Sequence, residues 1–96
     1  MGISWYLYII RTEDGFLYTG ITTDIERRIS EHQSNSKKSA KYLRGKGQLK
    51  LVYQYKIEDR SFASKMELKV KKLSKKKKED LIAGKIDFSY LLDKLD

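Results

Sequence analysis

The chain contains no cysteine and only one histidine, and these two absences exclude several kinds of chemistry. Without cysteine there is no disulfide, no thiolate nucleophile and no thiolate zinc site. A single histidine excludes a metal site built mainly from imidazoles. Any metal must therefore be held by oxygen ligands, which favours magnesium, manganese or calcium.

Long apolar segments are also absent. No hydrophobic run approaches the roughly 20 residues of a membrane-spanning helix, and the first residues lack the pattern of a signal peptide. We therefore expect a cytoplasmic protein with no membrane partner. The 96 residues, of which 40% are hydrophobic, are enough for one modest core.

Positive charge is plentiful and unevenly distributed. The net charge is +8, yet residues 1–33 carry three arginines against five acids. Residues 34–47 carry five cations and no acid, and residues 65–78 carry eight lysines against one glutamate. Two basic blocks on a small domain indicate a polyanionic partner, with a solvated lysine-rich surface as the alternative.

The hydrophobic pattern predicts three strands. Residues 5–12 and 16–21 are typical of paired strands joined by an Asp-Gly turn. Gly20 inside the second strand indicates a bulge or a close backbone approach. Residues 48–56 alternate, which predicts a half-buried third strand. One face of that strand is expected to carry Leu49, Leu51, Tyr53 and Tyr55.

The first predicted helix has an unusual inward face. Its stripe at helical spacing consists of Ile25, Arg28, Ile29 and His32. Arg28 and His32 therefore occupy the face that should pack on the sheet, whereas Arg27 lies roughly opposite and should be solvated. An inward arginine and histidine one turn apart, facing a hairpin rich in tyrosine, favour a functional site over ordinary packing.

Short polar residues mark the predicted helix ends. Thr23 as N-cap and Glu26 fit a capping box for a helix over residues 24–33. Ser74 is predicted to cap the third helix, and Gly84 to end it.

The remaining pattern completes an α+β fold: a small three-stranded antiparallel sheet flanked by helices, in the order ββα-β-αα plus a C-terminal helix. The core stripe of the second helix, over residues 60–73, is Phe62, Met66, Val70 and Leu73. Residues 86–95 place on one face Phe88, Leu91, Leu92 and Leu95. We expect a domain of residues 1–84 and a helical tail of residues 85–96, which packs on the domain or docks a protein partner.

Residues 34–47 are predicted to form a basic loop that contacts nucleic acid. The contacting residues are expected to be Lys37, Lys38, Lys41, Tyr42, Arg44 and Lys46. Tyr42 lies among the cations, which suits backbone contacts combined with base stacking. Gly20 joins this predicted interface because it lets the backbone come close to the site.

Together these residues resemble the GIY-YIG nuclease superfamily. Its two name-giving motifs fall on Tyr6-Leu7-Tyr8 and Tyr18-Thr19-Gly20, and its arginine and histidine fall on Arg28 and His32. Its metal-binding glutamate falls on Glu67.

The likeness runs from about Trp5 to Leu81 and is greatest to the short, stand-alone bacterial members, through residues 18–24 and 40–47. The first motif departs from Gly-Ile-Tyr at two positions and keeps its tyrosine, and the second departs only at its middle residue. A further departure bears on the chemistry. Many members carry a further polar residue, often asparagine, after the metal-binding glutamate, whereas residues 73–80 offer lysines and one serine.

The resemblance implies a divalent-metal-dependent endonuclease that hydrolyses phosphodiester bonds of nucleic acid, with DNA favoured over RNA. Structure-selective cleavage in repair or recombination is one form of this activity. Glu67 would hold Mg²⁺ or Mn²⁺, and Arg28 would clamp the scissile phosphate. Tyr8 would act as general base, Tyr18 would orient the water or phosphate, and His32 would orient Tyr8 or relay its proton.

Two alternatives remain open at this point. The chain is a non-catalytic nucleic-acid-binding module with a degenerate nuclease fold, or its last helix docks a protein that supplies or controls catalysis.

Overall fold

The computed structural model describes residues 3–34 and 38–93. They form a three-stranded antiparallel sheet in the order β2-β1-β3, with helices on both faces. The predicted α+β class and element order are confirmed. The elements are β1 Trp5–Arg11, β2 Leu17–Thr22, α1 Ile25–Gln33, β3 Lys50–Ile57, α2 Arg60–Lys72, α3 Lys75–Ile82 and α4 Phe88–Asp93. Within the described ranges, every helix is too short or too polar to span a bilayer.

The central strand β1 contributes to two separate cores. Leu7 and Ile9 are buried in one cluster with apolar side chains of α2, α3 and α4. Tyr8 and Ile10 are buried on the opposite face, against α1 and the basic loop. Because both faces are covered, β1 is an almost continuous apolar run rather than an alternating one.

Strand β3 changes face halfway along its length. The consecutive residues Ile9 and Ile10 of β1 pair with Tyr53 and Leu51, so Val52 is an extra residue in β3. This bulge places Leu51 in the core beside α1 and Tyr53 in the core beside α2. The single apolar face predicted for this strand is therefore wrong, because a bulge is set by pairing with the partner strand.

The predicted N-cap is wrong for α1 and confirmed for α3. Asp24, not Thr23, is the N-cap of α1, and its carboxylate accepts a hydrogen bond from the Arg27 backbone N–H at 3.1 Å. The chain leaving β2 favours this register because the Thr22 hydroxyl accepts from the Asp24 N–H at 3.1 Å. Ser74 caps α3 as predicted.

Helix α4 packs on the core beside α2. Phe88 and Leu91 are buried there, and the Phe88 ring stacks on Tyr55 with centroids 3.8 Å apart. Leu92 is 39% exposed, so its predicted place on the core face is wrong. It follows Leu91 by one position and is rotated about 100° around the helix. The fourth residue of the predicted stripe, Leu95, lies outside the described residues.

Candidate active site

Helix α1 places two polar side chains against the sheet. His32 is 1% exposed, and the Arg28 side chain is 28% exposed. The side chain of Arg27 is 57% exposed on the other face. Ile25 and Ile29 pack against the core around Tyr8. The inward stripe predicted from helical spacing is confirmed.

His32 connects β1 to the basic loop. Its Nε2 lies 3.1 Å from Tyr8 Oη, and its Nδ1 accepts a hydrogen bond from the Ala40 backbone N–H at 3.1 Å. A backbone N–H only donates, so the neutral ring carries its hydrogen on Nε2 and donates it to Tyr8. The Ser39 hydroxyl donates to the His32 carbonyl oxygen at 3.1 Å, which fastens the loop to the end of α1.

Burial governs the protonation of this pair. Burial and, secondly, the charge of Arg28 lower the pKa of His32 to about 4, so the ring is neutral near pH 7. Burial also raises the pKa of Tyr8 to about 12, with Tyr18 adding to the rise and Arg28 acting against it. The Glu67 carboxylate contributes to the same rise, so its charge reaches Tyr8 from the opposite helical layer.

Gly20 and Tyr8 face each other across paired strands. A Cβ atom at Gly20 would lie 2.5 Å from Tyr8 Oη and 2.7 Å from Tyr8 Cζ. The close approach predicted at Gly20 is therefore a contact with the phenol itself. Tyr18 completes the cluster, because its ring centroid lies 6.4 Å from that of Tyr8 and 5.5 Å from that of His32.

Arg28 is held by several partners. Its Nη1 donates to Glu31 Oε1 at 2.9 Å and to the Lys38 carbonyl oxygen at 2.7 Å. The guanidinium also lies beside Tyr8, where it acts to lower the phenol's pKa against the effect of burial. Arg28 thus ties α1 to the basic loop and brings a fixed positive charge to the tyrosine cluster.

Glu67 lies on α2 and acts on Tyr8 through its charge. Its side chain is 21% exposed and forms an ion pair with Lys71 Nζ at 3.3 Å. Among residues 3–34 and 38–93, no three histidine, aspartate or glutamate side chains converge. A lone carboxylate suits a hard cation that keeps most of its own water, as Mg²⁺ does, and Mn²⁺ prefers similar oxygen ligands.

The basic loop is mostly on the surface. Around a single 3-10 turn at Lys41–Leu43, the exposed residues predicted to bind nucleic acid are Lys38, Lys41, Tyr42 and Arg44. Lys46 differs, because its Nζ pairs with Asp14 Oδ2 at 3.1 Å. Lys37, also predicted to bind, lies outside the described residues.

A groove beside β2 brings together residues that the sequence did not connect. It encloses about 260 Å³ and joins the hairpin, the loop and two helices. Its lining includes Phe16, Tyr18, Thr19, Tyr42, Lys71 and Lys78. Of these, the predicted site contained only Tyr18 and Tyr42. Phe16 directly follows the Asp-Gly turn, and an aromatic residue at this position was the one sign in the sequence that it could belong to a site.

The sheet order, the paired tyrosine motifs and the Arg–His pair on α1 define the class of protein. The family model described as the GIY-YIG catalytic domain matches residues 4–80, so the chain belongs to the GIY-YIG family. The predicted resemblance is confirmed.

Its relatives are short proteins of similar length. The chain is 54% identical over 91 residues to UPF0213 protein YhbQ of Escherichia coli K12, covering 95% of this chain and 89% of that protein. UPF0213 protein Ent638_3592 of Enterobacter sp. strain 638 is 50% identical over 93 residues, covering 97% and 89%. The solution NMR structure of UPF0213 protein BH0048 from Bacillus halodurans has 41% identity, 97% coverage of both chains and a TM-score of 0.55.

Proposed function

We propose that this protein is a divalent-metal-dependent endonuclease that hydrolyses phosphodiester bonds, with DNA as the favoured substrate. Cleavage selective for branched or partly unpaired structures, in repair or recombination, is part of this proposal. Membership of the GIY-YIG family supports the nuclease class. The observation that carries the proposal is the cluster of Tyr8, His32 and Arg28, in which Tyr8 Oη lies 3.1 Å from His32 Nε2 and the guanidinium acts on the phenol.

Two residues are assigned to the phosphate. Arg28 binds the scissile group through the guanidinium donors that remain beside those given to Glu31 and Lys38, and its planar fork matches a phosphate. Glu67 would hold Mg²⁺ or Mn²⁺, which when bound neutralises phosphate charge and lowers the pKa of coordinated water. Lys71 Nζ lies 3.3 Å from Glu67 Oε2, so a cation bound by this carboxylate would compete with the ammonium for that oxygen.

The proton chemistry is assigned to Tyr8, with His32 and Tyr18 in support. Because the pKa of Tyr8 is raised to about 12, the side chain is a phenol in the free protein. Positive charge gathered at the site lowers that pKa, so the phenol releases its own proton to solvent, and the resulting phenolate then accepts a proton from the attacking water. His32 donates through Nε2 and so orients Tyr8 and stabilises its phenolate, rather than relaying the phenol's proton. Tyr18 orients the water or the phosphate.

A second candidate function is a nucleic-acid-binding module without catalysis. The raised pKa of Tyr8 favours it, since a buried phenol is a poor base, and so does the engagement of Arg28 with Glu31. This function requires only the exposed loop and Tyr42, a residue that is 69% exposed.

Cleavage of a substrate panel separates the two functions. We expect wild-type protein to cut single-stranded, flapped or nicked DNA with Mg²⁺ or Mn²⁺ and not with a chelator. Glu67→Gln should lower the rate by about 10²–10³-fold at an unchanged melting temperature. Glu58→Gln is the matched control, because Glu58 pairs only with Lys56 among charged groups on the described surface. Binding without cleavage by wild-type protein on DNA and RNA would establish the second function instead.

A further inference from the structure

The groove at the free edge of β2 has the composition of a nucleotide site. Tyr42 reaches it from the loop that packs with α1, whereas Lys71 and Lys78 reach it from α2 and α3. Its volume of about 260 Å³ is below that of pockets enclosing a whole drug-sized ligand, roughly 300–1,000 Å³. The size suits one planar group of a longer molecule.

Two exposed aromatic rings stand at this groove. Phe16 is 41% exposed and Tyr42 is 69% exposed, and their ring centroids lie 6.3 Å apart. Neither ring belongs to the two buried clusters of the domain. Exposed aromatic faces beside cations are the usual platform for unstacked bases.

The lysines supply charge complementary to a phosphate. Lys71 links the groove to the candidate catalytic carboxylate, since its Nζ lies 3.3 Å from Glu67 Oε2. Lys78 has no acidic partner among the residues the structure describes, and burial lowers its pKa. A partly buried ammonium without an acid gains from a phosphate oxygen at this place.

Thr19 provides an independent observation. It lines the groove and is 3% exposed, yet its hydroxyl has no hydrogen-bond partner within the described ranges. Buried hydroxyl groups without a partner are uncommon, because they destabilise the free protein. A polar atom of a bound ligand would satisfy this group.

We propose that the groove binds one unpaired nucleotide of a nucleic-acid strand. The base lies against Phe16 and Tyr42, the phosphate is held by Lys71 and Lys78, and the Thr19 hydroxyl bonds a polar atom of the nucleotide. A fully paired duplex cannot fill the groove, since its bases are stacked within the helix.

This inference rests on the proposed nucleic-acid substrate and specifies it. Tyr18 lines the groove and also belongs to the cluster with Tyr8 and His32, so the bound nucleotide lies next to the candidate cleavage site. The enzyme then selects substrates with an unpaired base at the cut.

Binding is measured by fluorescence anisotropy in chelator, so that no cleavage occurs. The probes are a single-stranded DNA oligomer and an abasic oligomer of the same length and charge. Tyr42→Ala and Phe16→Ala should each weaken binding of the first probe by roughly 5- to 150-fold and leave that of the abasic probe nearly unchanged. Tyr42→Phe should behave as wild type. Lys78→Ala should weaken both probes, whereas Lys76→Ala, at an 81% exposed side chain paired with Asp80, should affect both far less.

Thr19→Val distinguishes a ligand-binding role of this hydroxyl from a purely structural one. It should raise the melting temperature, because an unpartnered hydroxyl is removed, and yet weaken binding of the base-containing probe. Equal weakening of both probes by Tyr42→Ala, or equal affinity of wild type for the two probes, would overturn the nucleotide site. Absence of cleavage in metal would reject the endonuclease proposal alone and leave these binding results standing.

Discussion

At the residue scale, His32 lies between a donor that fixes its tautomer and a phenol that it orients. The Ala40 N–H occupies Nδ1, and burial keeps the ring neutral, with a pKa of about 4. Protonation would place two hydrogens against each other at Nδ1 and Ala40. The same contact therefore sets the hydrogen bond to Tyr8 and makes the fold sensitive to acid.

We expect the free energy of unfolding to rise with pH between about 4 and 6.5, because the unfolded chain, whose histidine has a pKa of 6.5, binds the proton more readily in that window. The slope has an upper limit of about 1.4 kcal/mol per pH unit for one proton. It should vanish below and above the window. Urea unfolding of wild type and of His32→Gln across this range measures the difference.

His32→Gln controls for the carboxylates that titrate in the same pH window, since the variant and the wild type have the same carboxylates. It also tests the assigned role of His32. The glutamine amide can donate to Tyr8 but cannot carry a proton away, so His32→Gln should retain more cleavage activity than His32→Ala. Equal loss in both variants, or identical pH slopes for wild type and His32→Gln, would contradict this account.

At the element scale, α1 carries two adjacent arginines that differ in exposure, since the Arg27 side chain is 57% exposed and that of Arg28 is 28% exposed. Arg27 is therefore a matched control for Arg28. Arg28→Lys keeps the charge but loses the planar fork, and we expect a loss of about 10²-fold or more in cleavage rate. Arg27→Lys should be nearly silent, because that side chain is solvated and pairs only weakly with Glu31, at 3.8 Å. Rates at saturating substrate, with a thermal melt of each variant, provide the measurement.

Equal cleavage rates for Arg28→Lys and Arg27→Lys would contradict the proposal that Arg28 clamps the scissile phosphate. A melting temperature lowered in Arg28→Lys alone would reflect the lost bond to the Lys38 carbonyl, which fastens the loop to α1. Arg28→Ala should nearly abolish cleavage and also loosen that loop, so the lysine variant is the more informative of the two.

Sequence reasoning succeeded where the signal was local to one element. Helical spacing alone put Arg28 and His32 on the inner face of α1, and Ser74 was recognisable as a cap from its own segment. The local signal was wrong by one residue at the α1 N-cap, which is Asp24 and not Thr23. Sequence reasoning also failed where two segments had to meet. The bulge at Val52 depends on pairing with β1, and the Ala40 contact depends on how the loop returns to α1. The groove needs a hairpin, a loop and two helices at once.

At the scale of the whole molecule, the two basic blocks meet around the groove beside β2. The loop contributes Tyr42 to the lining of the groove, and the helices contribute Lys71 and Lys78. Two lysines of the second basic block thus lie beside an exposed aromatic residue of the first.

We expect nucleic-acid binding to be largely independent of sequence and steeply dependent on salt. With about 4–6 phosphate contacts, raising salt from about 50 to 200 mM should weaken binding by roughly two to three decades. Replacing Lys38, Lys41 and Arg44 by serine should lower the slope of log affinity against log salt by about 2–3. Lys46→Ser should change it little, because that ammonium already pairs with Asp14. A slope unaffected by the triple replacement would show that the loop is only solvated surface.

The central position of β1 in the sheet has a consequence for folding during synthesis. This strand precedes both of its partners along the chain, and residues 12–49 separate it from β3. During synthesis it first has β2 alone, and a two-stranded hairpin is marginally stable in water. Until β3 and α2 have emerged, an apolar segment with an open edge is exposed, which invites aggregation or capture by a chaperone. The strand that carries Tyr8 is thus also a segment that needs protection on the ribosome.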